Sequence, residues 1–292
     1  MRVHNCRMQP PLERIVFSTP RVVVGEWRCD PRHPAFVDSG PIERHLAAFP
    51  RTSVRIRHAG RDGFVSDPGV ATLYNKGQRY TREAISPQGD WCEYWSVDAV
   101  TAAEITASVD ARAGPDEETL VRFERAPVDA ALYLRQRALV LQLRAGDFDP
   151  LGAEEAALSV VHDAIAAAAQ AARATRPRTS AAARDLAQEA ARELALSWHE
   201  RLTLEALSQR LGASPFHLCR VFRDVTGRTL HRQLTVLRLR ASLEAVAERG
   251  HDLTHVALDH GFNSHSHFSA AFRREYGMTP SAWRSRVHGA IS

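Results

Sequence analysis

The 292-residue sequence lacks any uninterrupted apolar run long enough to span a membrane. A spanning helix needs about 20 mostly apolar residues, so we expect no membrane partner. The first residues, MRVHNCRMQPP, have no apolar stretch of the kind that a secretory leader carries. Four scattered cysteines are too few for a disulfide scaffold in a chain of this length. These absences together predict a reduced, cytoplasmic protein.

The motifs of several enzyme classes are also missing. The sequence has no GxxxxGK[ST] phosphate loop, no HExxH zinc motif, no GxSxG nucleophile elbow and no GxGxxG dinucleotide fingerprint. Charged residues make up 25% and aromatic residues 7%, which is typical of folded domains. The length suits about two domains. We therefore expect a two-domain protein that is not an enzyme and carries no cofactor.

Positive charge is concentrated in the last third of the chain. Lys76 is the only lysine among 38 basic residues, so nearly all of this charge is arginine. From Trp198 to the end, 13 arginines face 8 acidic residues, whereas the preceding part has 25 basic and 26 acidic residues. A near-neutral front part and a basic back part predict that the back part binds a polyanion.

The front part, residues 13–100, favours short β-strands. Residues 22–24 are β-branched, residues 52–58 alternate in polarity, and residues 71–74 and 91–97 are further strand candidates. Turn residues such as Asn75-Lys-Gly77 separate them at short intervals. Many short strands with such turns predict a β-sandwich or a small barrel.

Helical spacing replaces this pattern after about Thr101. Apolar residues predict helices over residues 128–144 and 153–173, with Pro150 interrupting between them. The stretch around Pro177 has no apolar periodicity and is typical of a linker. We therefore divide the chain into a β-rich domain (1–112), a helical dimerisation segment (113–173), a linker (174–184) and a helical domain (185–292).

The helical domain contains a predicted helix-turn-helix unit. Thr203 is placed to cap a short helix, LEALSQRL, that ends before Gly212. Ser214 is placed to cap a second helix, which has Pro215 in its first turn. Two helices joined by a short glycine-containing turn form a motif whose second helix can enter the major groove of DNA.

The same pattern recurs later in the domain. Leu253–His260 predicts a short helix, Gly261 begins a turn, and Ser264 is placed to cap the following helix. Ser264 follows Gly261 by three residues, whereas Ser214 follows Gly212 by two, so the repeat is approximate. A long helix predicted over Leu230–Arg249 joins the two units. We expect it to space them by one DNA turn of about 34 Å.

These residues resemble the AraC/XylS family of bacterial transcription regulators. The resemblance rests on GF-x-S-x-S-x-F-x-x-x-F-R-x-x-x-G-x-x-P, from Gly261 to Pro280, and on LTLEALSQRLGASPFHLCRVFRDVTG before it. It covers residues 196–288 and departs at Thr229, where many members have Ser-Pro. It implies a sequence-specific regulator, here expected to be an activator, that inserts two recognition helices into successive major grooves of double-stranded promoter DNA.

The resemblance also implies the residues that contact DNA. Base contacts fall on Phe216, Cys219 and Arg220 in the first unit, and on His265, Ser266, His267 and Ser269 in the second. The helix N-termini at Ser214 and Ser264 can hold phosphates, and Arg223 and Arg273 are either phosphate contacts or solvated charges. Because arginine can contact guanine with two hydrogen bonds, we expect the first unit to read sequence more sharply.

The front part resembles, more loosely, the cupin-like sensor domains of such regulators, in FPRTSVRIRHAG, YNKGQRYTR and ISPQGDWCEYW. The implied fold class is α+β: an N-terminal β-barrel, cupin-like domain with two following helices, then an all-α domain with two helix-turn-helix motifs joined by a long helix. The resemblance leaves the small-molecule effector open. We expect a homodimer in the nucleoid, with RNA polymerase as a further candidate partner.

Two alternatives stay open. A metal-dependent cupin-type enzyme with a targeting DNA-binding domain is disfavoured, because the histidines His33, His45 and His58 form no His-x-His pair. A zinc or thiol redox site could combine Cys29 and His33 with Cys92, and with Cys6 near the start. Buried, inert cysteines are the commoner case, so we predict no metal.

Overall fold

The computed structural model describes residues 12–109, 122–146, 148–174 and 179–289. Cys6 and Pro177, both singled out in the sequence, lie outside these ranges. Two antiparallel sheets open the chain, with orders β1-β2-β9-β4-β7-β10 and β3-β8-β5-β6. The strands are β1 (Glu13–Ser18), β2 (Val22–Cys29), β3 (Asp38–Ser39), β4 (His45–Pro50), β5 (Val54–His58), β6 (Phe64–Ser66), β7 (Val70–Tyr74), β8 (Tyr80–Ala84), β9 (Asp90–Val97) and β10 (Arg125–Pro127).

Alternating polarity decides which way the strand residues face. In β5, Val54, Ile56 and His58 are buried, while Arg57 between them is exposed. The turn between β7 and β8 leaves the single lysine, Lys76, exposed. The predicted strand regions around residues 22–24, 54–58, 71–74 and 91–97 are all strands.

The two sheets face each other, and their interior is filled by side chains from both. Cys29 of β2 packs with Val54 and Ile56 of β5 in one buried cluster. Arg82 of β8 is buried there too and forms an ion pair with Asp90. Its guanidinium also donates from Nε to the carbonyl oxygen of Phe36 at 2.9 Å. The interior therefore holds a paired charge among apolar and aromatic side chains.

Among the described residues, the helices of the N-terminal domain are α1 (Ala99–Val109), α2 (Ala130–Ala145) and α3 (Pro150–Arg173). The sequence predicts that Pro150 lies between two helices, but it is the first residue of α3. Asp149 caps the helix by accepting from the Gly152 N–H at 2.8 Å, and proline is well suited to the first helical position because that position needs no N–H donor. The buried face of α3 is largely alanine, which lets it pack closely on the six-stranded sheet.

Within residues 179–289, the C-terminal domain consists of the helices α4 (Ala181–Leu196), α5 (Leu204–Arg210), α6 (Pro215–Thr226), α7 (Leu230–Ala247), α8 (Leu253–Asp259), α9 (His265–Tyr276) and α10 (Pro280–Gly289). Residues 181–184, assigned above to the linker, are the first turn of α4, which Ser180 caps. The strand-rich half followed by this helical half confirms the predicted α+β class. No helix in the described ranges has the length and apolar character needed to cross a membrane.

The hydrophobic core does not stop at the boundary between the two domains. Trp95 of β9 and Leu139 of α2 belong to the same buried cluster as Leu243 of α7, Phe272 of α9 and Trp283 of α10. The α5–α6 region has a separate core with α4 and part of α7. The second helix-turn-helix unit is therefore packed into the N-terminal domain, and the first is not.

A group of buried and half-buried charges, the interdomain charge cluster, reinforces this contact. It consists of Arg51 (β4–β5 connection), Glu93 (β9), Arg137 and Arg144 (α2), and Glu244 (α7). Glu244 Oε1 lies 2.8 Å from Arg51 Nη1, 2.7 Å from Arg137 Nη2 and 3.8 Å from Arg144 Nη1. Burial alone would raise the pKa of Glu244, but the three arginines outweigh it and lower that pKa to about 2. Glu244 is therefore a charged anchor for the C-terminal domain.

A second polar contact joins the β6–β7 turn to α7. Gln233 Nε2 donates to Asp67 Oδ2 at 2.7 Å, and Arg240 donates to the carbonyl oxygens of Pro68 and Val128. The Arg240 guanidinium also lies 4.3 Å from the centre of the Tyr133 ring. Gln233 and Arg240 are both buried. α7 therefore contacts the N-terminal domain at several points along its length, from Gln233 to Glu244.

Candidate nucleic-acid interface

The first helix-turn-helix unit consists of α5 and α6. Thr203 caps α5 and Ser214 caps α6, where the Ser214 hydroxyl accepts from the His217 N–H at 3.3 Å. Gly212 in the turn has a φ of +61°, a left-handed conformation that glycine adopts without strain. Leu218 and Phe222 are buried against the rest of the unit. Packing on one side leaves the opposite face of α6 in solvent.

The second unit consists of α8 and α9 and repeats this framework. Ser264 caps α9 by accepting from the His267 N–H at 3.1 Å. Phe268 and Phe272 are fully buried, with ring centres 5.6 Å apart. Both rings therefore belong to the core of the unit and not to its exposed surface. The turn is one residue longer than in the first unit, so the offset expected from the glycine alignment is present.

The two units match residue for residue after their turns. Ser214 and Ser264 cap helices of 12 residues each, and both helices end at a left-handed glycine, Gly227 or Gly277. Thr229 then caps α7, which explains how the chain starts this helix without the family's Ser-Pro. The 18 residues of α7 span about 27 Å along the helix axis, and this helix joins the two units.

The predicted contacts of the first unit share one exposed side of α6. Phe216 is 79% exposed, a large apolar side chain left in water. Cys219, Arg220 and Arg223 are also exposed. Neither arginine forms an ion pair with a described residue. Their side chains are available to an external anion, in contrast to Arg240, which is buried against the N-terminal domain.

The predicted contacts of the second unit are more constrained. Ser264, His265, Ser266, His267 and Arg273 are exposed, whereas Ser269 is half-buried. The Ser269 hydroxyl lies 3.4 Å from His265 Nε2, and the His267 ring packs edge-on at 5.4 Å from Phe262. Several of these side chains thus already have partners within the unit.

The structure does not bring the candidate metal residues together. Cys29 packs among apolar residues between the sheets, and Cys92 packs in a different cluster with Tyr74 and Tyr94. Burial raises the pKa of both thiols, which disfavours the thiolate that zinc binding or redox exchange requires. His33 is occupied by a 3.1 Å hydrogen bond from the Ala35 N–H. Among the described residues, no three metal-ligating side chains cluster.

Glu244, Gln233 and Arg240 were not singled out in the sequence, yet they connect the reading units to the N-terminal domain. One signal was available. Apolar residues occur on all sides of α7, and 12 of its 18 residues are buried. Polar and charged residues alternate with the apolar ones in α7, so the polar side chains that this packing buries need partners.

The chain is similar to a family model and to several known proteins. A family model described as a helix-turn-helix domain matches residues 207–286. The regulatory protein SoxS of Salmonella typhimurium is 33% identical over 86 residues, which cover 30% of this chain and 80% of that protein. The solved structure of ToxT from Vibrio cholerae O395 is similar over 93% of this chain and 100% of its own, at 11% identity and a TM-score of 0.36.

The similarity to longer relatives is confined to one domain. The Right origin-binding protein of Escherichia coli K12 is 31% identical over 83 residues, which cover 28% of this chain and 29% of that protein. The family model, in turn, matches residues of the C-terminal helical domain. Since SoxS is 33% identical and the match covers four-fifths of that protein, the chain belongs to the AraC/XylS family of transcription regulators.

Proposed function

We propose that the chain is a sequence-specific DNA-binding regulator of transcription that places α6 and α9 in successive major grooves of promoter DNA. The observation that carries this proposal is the pair of matched helices, each capped by serine and presenting exposed side chains at its N-terminal half. The N-terminal residues of a recognition helix are those that reach base edges. Family membership and the arginine excess of the back part support it.

Each unit divides its contacts between bases and phosphates. Base readout falls to Phe216, Cys219 and Arg220 in α6, and to His265, Ser266, His267 and Ser269 in α9. Phosphates meet the helix N-termini at Ser214 and Ser264 and the exposed guanidinium groups of Arg223 and Arg273. Since Arg220 offers a two-pronged contact to guanine, the first unit discriminates more strongly.

The N-terminal domain supplies the control. A small-molecule effector bound there shifts the balance between arrangements of the two domains, which requires that it bind those arrangements differently. The continuous core and the interdomain charge cluster are the contacts through which such a shift passes to α7 and α9. The regulator acts in the cytoplasm, on DNA of the nucleoid, and binds it as a homodimer. It activates transcription through contact with RNA polymerase and catalyses no reaction.

Selection of bound DNA from a random pool tests the proposal. The full-length chain is mixed with the pool at two salt concentrations, and the retained DNA is sequenced. Two short enriched elements about one helical turn apart are the expected result. Retention at low salt with no enriched motif, lost steeply at high salt, would mean that the basic domain binds only phosphates and would refute sequence-specific reading.

A further inference from the structure

The helix α7 passes from the core of the first helix-turn-helix unit to the core of the second. Leu234 and Leu237 pack in the separate core of α4, α5 and α6. Leu239 and Leu243 pack in the core that the second unit shares with the N-terminal domain. Arg238 lies at the change from one core to the other and is half-buried. Because the two cores are separate, packing within either of them leaves the angle between the units open.

Arg238 binds the connection between α4 and α5, which belongs to the first unit. Its Nε donates to the carbonyl oxygen of Trp198 at 2.7 Å, and its Nη2 donates to the carbonyl oxygen of Glu200 at 2.6 Å. Both acceptors are main-chain groups, so the bonds hold the backbone of the connection itself. A guanidinium is a rigid planar fork, and two bonds from it fix direction as well as distance. The connection is therefore fixed to the middle of α7.

The same guanidinium packs against the turn of the second unit at Gly261. A Cβ atom built on this glycine would lie 2.8 Å from Arg238 Nε and 2.9 Å from its Cζ, closer than carbon and nitrogen atoms approach. The corresponding glycine of the first unit, Gly212, would place its Cβ in open space. Both glycines have a left-handed φ, of +76° and +61°. Gly261 is thus needed for its backbone conformation and also for the room that Arg238 occupies.

An aromatic contact joins the two units beside this arginine. The Trp198 ring packs against the core of the first unit and also stacks on the His260 ring, with ring centres 5.8 Å apart and planes 26° apart. His260 follows the last turn of α8, and its Nδ1 lies 2.7 Å from the carbonyl oxygen of Val256. The α4–α5 connection therefore contacts the second unit directly. We call this group the inter-unit junction; it consists of Trp198, Glu200, Arg238, His260 and Gly261.

We propose that Arg238 is a positioning residue for DNA reading, which sets the orientation of the second unit relative to the first and so the spacing of the two DNA elements that the chain prefers. The inference rests on the function proposed above. Each base pair inserted between two elements rotates one of them by about 35° around the DNA axis. Two units held at a fixed angle therefore fit one spacing, whereas two loosely joined units accept several.

The N-terminal domain does not replace the inter-unit junction, because it holds the first unit through α4. Gln188 Oε1 accepts from the Val65 N–H at 3.2 Å, and Ala195 packs beside Val65. Glu189 lies 3.3 Å from Arg55, but both side chains are partly exposed, and such ion pairs contribute little. The second unit, in contrast, shares an extended core with that domain. Arg238 therefore supplies part of the orientation between the units that the N-terminal domain does not.

Binding of full-length Arg238→Gln to designed duplexes tests the inference. The duplexes carry both elements enriched from the random pool at the preferred spacing, both elements with one base pair more or fewer, or one element with the other scrambled. We expect about three- to tenfold weaker binding at the preferred spacing, a flatter dependence on spacing, and single-element binding within about twofold of the wild type. A variant that merely destabilised one unit would lose single-element binding as well. An unchanged dependence on spacing, or an equal loss on single elements, would overturn the proposal.

The chain offers matched controls for charge and for backbone strain. Arg249→Gln removes the same charge from an exposed arginine past the end of α7 and should keep the spacing preference. Gly261→Ala and Gly212→Ala both place alanine at a left-handed φ, but only the former displaces Arg238. The spacing preference should therefore weaken in Gly261→Ala and persist in Gly212→Ala. Equal effects of the two alanine substitutions would contradict the role of Arg238.

A distance measurement without DNA separates this inference from the proposed function. Spin labels are attached to Cys219 of α6 and to Ser285→Cys of α10, both exposed positions, in a full-length chain that carries Cys6→Ser; Cys29 and Cys92 are buried. Pulsed electron paramagnetic resonance should give one narrow distance distribution, which Arg238→Gln broadens. If the wild type prefers no DNA sequence, the proposed function fails while this distribution still decides the role of Arg238. If Arg238→Gln leaves the distribution unchanged, the positioning role fails alone.

Discussion

Glu244→Gln should loosen the contact between the domains. The charged form of this side chain is stabilised by Arg51, Arg137 and Arg144, which lower its pKa from 4.5 to about 2. At 1.36 kcal/mol per unit, this shift corresponds to about 3 kcal/mol of interaction that a neutral amide cannot make. The remaining partner of Arg51 and Arg137 is then Glu93, so two buried cations share one carboxylate. We expect a loss of about 2–3 kcal/mol in unfolding free energy.

Urea unfolding of the full-length chain measures this loss, and native-state proteolysis in the interdomain region reports whether the domains separate first. Glu248→Gln is the matched control, since Glu248 follows α7, is 63% exposed and pairs only with His251 among the described residues. It should change stability by less than about 0.5 kcal/mol. If Glu244→Gln costs no more than Glu248→Gln, the interdomain charge cluster does not stabilise the contact and the reasoning is wrong.

Three further predictions concern DNA reading, acid stability and the core. Arg220→Ala should cost about 1–3 kcal/mol of binding free energy on the preferred DNA site and relax the preference at one base position. Arg273→Ala should weaken binding to all sequences alike and reduce the salt dependence of the affinity by about one unit. Identical, sequence-selective losses in both variants would contradict this division. Burial, with Arg61 nearby, lowers the pKa of His58 to about 4, although Glu124 lies 3.6 Å away. The unfolded chain protonates His58 below about pH 6.5, whereas the folded chain does so only near pH 4. The unfolding free energy, measured with urea at each pH, should therefore fall by about 3 kcal/mol as the pH is lowered from about 6.5 to about 4. It should fall less steeply in His58→Phe. Phe222→Ala should cost about 3–5 kcal/mol in urea, and a loss below about 1 kcal/mol would mean that the first unit has no packed core of its own.

The helix-turn-helix units were predictable because their determinants are local. Ser214, Pro215 and Gly227 each act on a backbone group within a few residues, so sequence order alone places the helix start and end. Pro150 shows the limit of this reasoning. Proline can follow the end of one helix or begin another. Here the Asp149 side chain caps the helix that follows, so Pro150 is its first residue.

The sheet order and the interdomain contacts were not predictable by the same means. β2 pairs with β9, which joins residues 22–29 to residues 90–97, and Arg51 meets Glu244 from a strand region 193 residues earlier. Nothing in the local sequence specifies which distant partner will satisfy a buried charge.

The scarcity of lysine makes the molecule convenient to label for distance measurements. Lys76 is exposed in the N-terminal domain, and Cys219 is the exposed cysteine of the first reading helix, while Cys29 and Cys92 are buried. With Cys6 replaced by serine and the terminal amine blocked, an amine-reactive donor dye and a thiol-reactive acceptor dye would each attach at one position. Energy transfer between them would then follow the separation of the two domains in single molecules, with the native side chains serving as attachment points.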